Sequence, residues 1–231
     1  MTTNVKPSDL NYDHYTKNKY DRDIVVAIPF HREIHTKIAR FVKSNYAADV
    51  PYDIVDLGVG TGITSGIIKS LLPQSNVDVV DFSEQMINGA KKRLGSRNVR
   101  YLIGDYATMR FDKKYDIVCS VIGIHHQSHA GKRKLFKKIH AMLKPGGIFI
   151  FGDLVTHRLP PIAALNHARH YHHLVANASN EKMLTEWAHH HMYLNNLATV
   201  EDQIEWLEEA GFSVKQEFLR LNTSLIFAKK Q

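Results

Sequence analysis

Short apolar runs alternate with amphipathic stretches along most of the chain. Apolar side chains with helical spacing predict a helix over residues 30–46, which ends before Pro51. Predicted strands then cover residues 54–58, 77–81, 99–103, 115–121 and 148–154, and predicted helices cover residues 63–72, 83–94 and 130–143. Strands separated by helices in this way predict right-handed βαβ crossovers. The pattern therefore predicts an α/β fold with a mostly parallel sheet and helices on both faces.

This rhythm is interrupted over residues 155–198, where Pro160, Pro161 and many histidines occur. We interpret this segment as a helical cap inserted after the fifth strand. The rhythm resumes at Thr199, a predicted N-cap of a helix over residues 200–210, and residues 212–219 and 224–228 are predicted to form a closing antiparallel hairpin. Residues 1–231 are thus predicted to form a single domain with an N-terminal helical arm over residues 1–48.

Composition narrows the class of protein. Of 231 residues, 44% are hydrophobic and 23% are charged, which suits a packed core. The sequence has no run of 18 apolar residues and no apolar segment like that of a signal peptide near its beginning, and Cys119 is the single cysteine. We therefore expect a cytoplasmic protein without a membrane partner.

The formal net charge of +7 is partly carried by Lys132, Arg133, Lys134, Lys137 and Lys138. We interpret these residues as the solvated face of a helix. An RNA-binding face is the alternative, although no RNA-binding signature accompanies them. A nucleic-acid partner is therefore conceivable but not favoured, and a homodimer is a further expectation.

The strongest motif is the loop Asp56-Leu57-Gly58-Val59-Gly60-Thr61-Gly62, between a predicted strand and a predicted helix. Glycine permits backbone conformations and a close ligand approach that a Cβ atom would block. The spacing differs from the G-x-G-x-x-G of dinucleotide-binding loops, and the Lys-Ser/Thr of a phosphate-binding loop is absent. The motif favours a ligand that has no pyrophosphate.

Carboxylates follow the next two predicted strands. Asp81 can accept hydrogen bonds from both hydroxyls of a ribose, and Asp105 can accept from an adenine amino group. Tyr106 or Met109 could pack on the adenine ring. The fourth strand ends at Ser120, just before His125. Ligands of open α/β sheets bind at the carboxyl ends of strands, so these motifs should converge on one crevice.

Residues 50–155 and 199–229 resemble class I methyltransferases that use S-adenosylmethionine (SAM). The resemblance implies a Rossmann-like sheet of seven strands with the last one antiparallel, and methyl donation that leaves S-adenosylhomocysteine. By position, Asp56, Gly58 and Gly60 would line the methionine part, Asp81 would hold the ribose and Asp105 the adenine. Other expected cofactor contacts are Phe82, Met86, Tyr106 and Ser120. Val59 departs from the Cys, Ala or Ser that often stands there.

Two N-terminal segments, Tyr20–Ile24 and Ile28–Glu33, are similar to a subgroup near the carboxy-SAM synthases of wobble-uridine tRNA modification. This likeness implies that Tyr20 and His31 lie near the cofactor, and His31 stands where the subgroup has an aromatic residue. The basic residue that such a synthase needs for the extra carboxylate has no identifiable equivalent. Synthase activity is therefore not predicted.

Methyl transfer is an in-line displacement on an already activated carbon, so alignment and exclusion of water matter most. A general base is needed only when the acceptor must lose a proton early. His126 and His129 follow the fourth strand and are the candidate bases. His125 is expected to pack inward and to contact the acceptor.

The chain contains 15 histidines, eight of them between residues 157 and 191. His167 and His170 are spaced to share one helix face, and with Tyr171 and Trp187 they form the predicted substrate wall. A purely structural helix is the alternative. No metal site is predicted, because the histidine spacings match no known ligand motif.

The sequence therefore predicts a methyltransferase that acts on an O, N or C atom of a small molecule. A protein that binds SAM without methylating and a tRNA-modifying enzyme remain alternatives. The acceptor, the need for a base and the role of the histidine-rich segment are left open.

Overall fold

The computed structural model describes residue 10 and residues 17–231, so residues 1–9 and 11–16 of the predicted arm lie outside the described residues. The strands are β1 (Asp53–Leu57), β2 (Asn76–Asp81), β3 (Val99–Ile103), β4 (Tyr115–Val121), β5 (Leu143–Leu154), β6 (Phe212–Arg220) and β7 (Thr223–Lys230). The helices are α1 (Lys17–Ala27), α2 (His31–Asn45), α3 (Ile63–Leu71), α4 (Glu84–Leu94), α5 (His129–Met142), α6 (Pro160–Asn177), α7 (Glu181–Tyr193) and α8 (Val200–Glu209).

The seven strands form one sheet in the order β3-β2-β1-β4-β5-β7-β6. All neighbouring pairs from β3 to β5 are parallel, whereas β7 runs antiparallel to both β5 and β6. The strand order reverses between β1 and β4, which is where ligands of open α/β sheets bind. The predicted Rossmann-like class, with its closing hairpin, is confirmed.

Helices cover both faces of the sheet. On one face α2, α3 and α4 contribute Ile34, Ile68 and Ile87 to an apolar cluster with Ile54 of β1. On the other face α5 and α8 pack against the same sheet, with Phe136 on Phe149 of β5. Since both faces of the central strands are covered, their near-continuous apolar runs are explained.

Local signals place the helix starts. The Ser83 hydroxyl accepts from the Met86 N–H at the start of α4, and the Thr199 hydroxyl accepts from the Asp202 N–H at the start of α8, as predicted. Strand β5 begins earlier than predicted, directly after α5. Among the residues that the structure describes, no helix is both long and apolar enough to cross a membrane.

The interruption at residues 155–198 contains α6 and α7, so the predicted helical cap is confirmed as helical. A third apolar cluster joins this cap to α1 through Ile24, Leu174, Met183 and Trp187. The described part of the N-terminal arm and the cap thus lie over the carboxyl edge of the sheet.

The basic cluster in α5 is not a uniformly solvated face, which corrects the prediction for two residues. Lys132 is fully buried and donates to the carbonyl oxygens of His125, Gln127 and Asn196. Lys138 donates to carbonyl oxygens of the β3–β4 connection. Carbonyl groups left free by turns need donors, and these ammonium groups supply them.

Candidate active site

Three cavities meet at the carboxyl edge of the sheet around Tyr20 and Ile122, which line all of them. The nucleoside cleft, about 620 Å³, lies over β2 and β3 and is lined by Asp81 and Asp105. The loop cavity, about 380 Å³, lies between the glycine-rich loop and α2. The cap cavity, about 360 Å³, lies beneath α6 and α7.

The glycine-rich loop forms the floor of the nucleoside cleft. Gly58 and Gly60 both line it, and both have positive φ angles, +77° and +54°. A Cβ atom on Gly58 would lie 3.4 Å from the Tyr106 ring, and one on Gly60 would lie 3.8 Å from Tyr20. Glycine is required here by backbone conformation more than by space, and it keeps the loop surface open to a ligand.

Asp81 lies at the end of β2, with both carboxyl oxygens anchored. The Gly60 N–H donates to Oδ2 at 2.9 Å and the Ser83 N–H donates to Oδ1 at 3.0 Å. Burial raises the pKa of Asp81 to about 6, against the opposing effect of these N–H donors. Each carboxylate oxygen can accept more than one hydrogen bond, so two acceptor positions remain for ribose hydroxyls.

The far end of the cleft suits an aromatic base. Asp105 lines it and accepts from the Ala107 N–H at 2.8 Å, which orients the carboxylate after β3. Tyr106 is buried, and its hydroxyl donates to the Gly123 carbonyl at 3.1 Å. Phe82 and Met86 complete this wall, so the predicted cofactor residues of β2 and β3 come together.

Two other predicted cofactor residues, Asp56 and Ser120, lie beneath the loop rather than on the described cavity walls. Asp56 accepts from the Ser65 hydroxyl at 2.6 Å and so joins β1 to the first turn of α3. The Ser120 hydroxyl donates to the Leu57 carbonyl at 2.7 Å. Burial raises the pKa of Asp56 to about 6. The geometry suits a role in holding the loop.

The loop cavity contains a pair of neutral imidazoles. His31 lines it together with His35, whose Nδ1–H donates to the His31 carbonyl and whose Nε2 lies 3.1 Å from the Thr64 hydroxyl. Burial lowers the pKa of His31 to about 3 and also lowers that of His35. Both imidazoles thus lie between α2 and the glycine-rich loop, and the proximity of His31 to the cofactor stays a prediction.

Helix α1 is fastened onto this loop by one carboxylate. Asp21 accepts from the Thr61 hydroxyl at 2.5 Å and pairs with Arg93 of α4 at 2.5 Å and with Lys17 at 3.1 Å. These contacts bring Tyr20, one residue earlier, to the junction of the three cavities. The predicted position of Tyr20 therefore depends on an ion-paired contact between the arm and the loop.

The cap cavity has apolar walls and an imidazole-rich side. Three of the residues predicted to contact the acceptor, His125, His170 and Trp187, line it. The His125 Nδ1–H donates to Asp153 Oδ1 at 2.5 Å. His170 uses both ring nitrogens, since Nε2–H donates to the Ala27 carbonyl and Nδ1 accepts from the Asn222 amide. The His170 ring therefore fixes the wall between cap and arm.

The two predicted bases have different surroundings. His126 lines the nucleoside cleft, and its Nδ1–H donates to the Leu194 carbonyl at 2.9 Å. His129 lies at the start of α5, where its Nε2–H donates to the Leu197 carbonyl and its ring packs on Trp206. The structure thus brings His126 to the cavities and places His129 away from the described cavity walls.

His167 and Tyr171 also lie apart from the described cavities. Both are exposed, because Asn166, His170 and Leu174 form the inner face of α6 and each neighbouring position is rotated by about 100°. The sequence spacing identifies a shared face but not which face turns inward. Cavity-lining residues that sequence reasoning missed include Leu10, His35, Thr64, Ile122, Gln127, Leu174, His190, His191 and Asn195.

The sheet order, the glycine-rich loop after β1 and the carboxylates after β2 and β3 define a class I methyltransferase fold. A family model described as a methyltransferase domain matches residues 54–147. The malonyl-acyl-carrier-protein O-methyltransferase 2 of Ilyobacter polytropus is 32% identical over 121 residues, which is 52% of this chain and 45% of that protein. The chain thus spans about half the length of this relative.

The trans-aconitate 2-methyltransferase of an Acidovorax species is 26% identical over 77% of this chain and 74% of that protein. Among solved structures, an O-methyltransferase family protein from Burkholderia thailandensis superposes with a TM-score of 0.69, covering 99% of this chain and 64% of that one at 15% identity. The chain is thus similar to methyltransferase domains over residues 54–147, and its fold is that of class I SAM-dependent methyltransferases.

Proposed function

We propose that this protein transfers a methyl group from SAM to a small-molecule acceptor held in the cap cavity. One observation supports this most directly: the cap cavity adjoins the nucleoside cleft and the loop cavity across Tyr20 and Ile122. A cofactor that extends from Asp105 to the glycine-rich loop passes this junction. Its reactive carbon would then face an acceptor beneath the cap.

The residues fit such a cofactor at three points. Asp81 retains acceptor positions for the ribose, Asp105 stands at the adenine end, and Gly60 adopts the left-handed backbone that turns the loop along the cleft. SAM, when bound, supplies an electrophilic methyl group on a sulfonium. The chain aligns the acceptor and excludes water, because Leu174 and Trp187 cover the cap cavity.

The cavity suggests an acceptor of modest size with a polar end. At about 360 Å³ of space, partly open to solvent, it is the smallest of the three cavities, and its polar lining includes His125, His190 and His191, whose pKa values are lowered by burial. The two relatives are named for malonyl-acyl-carrier protein and trans-aconitate, both of which carry carboxylates. These compounds therefore begin the acceptor screen.

The first test is calorimetric titration with SAM and with S-adenosylhomocysteine, followed by measurement of S-adenosylhomocysteine release with each acceptor. We expect micromolar binding of both ligands and turnover with at least one acceptor. Absence of binding would reject the cofactor assignment. Binding without turnover across the screen would favour a SAM-binding protein that does not methylate.

A matched pair of variants tests the acceptor position. Leu174 is 2% exposed and lines the cap cavity, whereas its neighbour Val175 is 51% exposed. Leu174→Phe should raise the KM for the acceptor while leaving SAM affinity unchanged, and Val175→Phe should alter neither. An unchanged acceptor KM in a folded Leu174→Phe variant would show that the acceptor binds elsewhere.

We also propose that residues 1–231 work as one SAM-binding unit and that the protein is cytoplasmic, where its buried free thiol Cys119 would remain reduced. The homodimer and the nucleic-acid partner stay predictions. Light scattering of the purified chain tests the dimer, and a steep salt dependence of tRNA binding would support the nucleic-acid partner.

A further inference from the structure

We propose that His125, His126 and His190 bind a divalent transition-metal ion of the zinc class between the nucleoside cleft and the cap cavity. One ring nitrogen from each histidine lies within 4.8 Å of those of the other two. The His125 and His126 rings are 4.0 Å apart, and the His126 and His190 rings are 5.1 Å apart. Small side-chain rotations would place one nitrogen of each histidine at about 2.0–2.1 Å from a zinc ion held between the three rings, which is the usual Zn–N distance.

The hydrogen bonds of two of these histidines favour this role. His125 donates its Nδ1–H to Asp153, and His126 donates its Nδ1–H to the Leu194 carbonyl. Both bonds select the tautomer that carries a lone pair on Nε2. Histidines that bind metals commonly donate their other ring N–H to a carboxylate or a backbone carbonyl in this manner.

The local charges also suit a cation. His125 and His126 are buried and His190 is half-buried, so a cation among the three rings would be largely shielded from water. Asp153 is fully buried, and its Oδ2 has no hydrogen-bond partner among the described residues. The ammonium group of Lys132 is near Asp153, but it donates its hydrogen bonds to three carbonyl oxygens and not to this carboxylate.

The donor set indicates the class of metal and where an open position would lie. Three imidazoles suit zinc and neighbouring divalent ions rather than magnesium or calcium, which prefer oxygen ligands. His125 and His190 line the cap cavity, and His126 lines the nucleoside cleft. A fourth ligand would therefore enter from the boundary of the two cavities. The inference rests on this geometry and does not require the proposed methyl transfer.

The test uses the full chain without a polyhistidine tag, stripped of metal by a chelator. Titration with Zn²⁺ in a calorimeter should give one site per chain, and Co²⁺ should give the visible absorption of a tetrahedral complex. His190→Gln should weaken Zn²⁺ binding by on the order of 100-fold. Asp153→Asn should weaken it by on the order of 10- to 100-fold, because a neutral amide oxygen accepts the His125 Nδ1–H more weakly than a carboxylate and makes His125 a poorer ligand.

The control is His189→Gln, which changes the exposed neighbour of His190 and should leave Zn²⁺ affinity unchanged. Melting temperature and S-adenosylhomocysteine affinity establish that each variant is folded. Absence of stoichiometric Zn²⁺ binding would overturn the proposal, as would equal affinity in wild type and folded His190→Gln. Loss of binding in His189→Gln alone would point to an adventitious surface site and would also overturn it.

Discussion

Asp81→Asn is the substitution that most sharply tests the cofactor assignment. The carboxylate accepts from the N–H groups of Gly60 and Ser83 and retains acceptor positions for two ribose hydroxyls. Asparagine is nearly the same size but has only one acceptor oxygen. Its amide nitrogen would face either the Gly60 N–H or the Ser83 N–H, and that donor would lose its partner.

The magnitude follows from the count of hydrogen bonds. Hydrogen bonds to a charged group contribute about 1.5–3 kcal/mol each, and neutral ones about 0.5–1.5 kcal/mol. Replacing a carboxylate that holds two hydroxyls by an amide that holds one should cost roughly 2–4 kcal/mol of binding free energy. The Kd for S-adenosylhomocysteine should therefore rise by roughly 30- to 1000-fold.

A double-mutant cycle between protein and ligand separates this effect from general damage. Calorimetry would compare wild type and Asp81→Asn, each with S-adenosylhomocysteine and with its 2′,3′-dideoxyribose analogue. Loss of the hydroxyls should weaken wild type strongly and the variant little. Asp105→Asn is the control, because it should weaken both ligands equally. Equal weakening of both ligands by Asp81→Asn would refute the ribose contact.

Four further predictions concern the acid titration of Asp81 and substitutions of Asp21, Lys132 and Ile122. The pKa of Asp81 is raised from 3.8 to about 6, so the free protein takes up a proton on this carboxyl below pH 6. SAM binding must release that proton. The affinity for SAM should therefore fall about tenfold for each pH unit below pH 6. Because the pKa is raised in the folded protein, protonation of Asp81 stabilises the fold below pH 4, and this effect is lost as pH rises through 6. The loss of SAM affinity on acidification should therefore not come from unfolding. A melting temperature that falls in parallel with the affinity would contradict this explanation. Asp21→Asn should speed SAM dissociation and raise its Kd roughly fivefold by loosening α1 from the loop, and stopped-flow rates equal to wild type would argue against that role. Lys132→Met leaves three carbonyl groups without their donor and should cost roughly 3 kcal/mol of unfolding free energy, seen as a melting temperature lower by roughly 6–12 °C, whereas exposed Lys134→Met should change little. Ile122→Gly removes a left-handed strain of roughly 1–2 kcal/mol but also a side chain that lines all three cavities. Turnover should therefore fall while the melting temperature stays close to that of wild type. A large drop in melting temperature together with turnover would mean that Ile122 only packs.

The sheet was predictable because its signals are local. Apolar runs specify strands, Ser83 and Thr199 cap helices within three residues of themselves, and the glycine-rich loop combines the turn after β1 and cavity-lining positions in one segment. The convergence of Asp81 and Asp105 follows from topology, since parallel strands end at one edge. These predictions needed no knowledge of tertiary packing.

The cap and its histidines required information that spacing does not contain. His190 comes to His126 from a helix more than 60 residues later in the chain, so no ligand motif exists in the sequence. Asp153 lies near the end of β5, whose apolar sequence is typical of a buried strand. Its contact with His125 depends on the pairing of β4 with β5. The orientation of α6, which turns His170 inward and His167 outward, is likewise fixed by tertiary packing against α1 and α7.

The backbone at Ile122 links the sheet to the three cavities. A β-branched residue with a φ angle of +57° is unfavourable, and nothing in the sequence indicates it. The Ile122 N–H donates to the Gly152 carbonyl at 2.8 Å, which holds the turn after β4 against β5. This turn places the Ile122 side chain among all three cavities and directs the following residues, His125 and His126, towards them. Strain at such a position persists only where surrounding contacts fix it, and here the hydrogen bond to Gly152 fixes the residue that lines all three cavities.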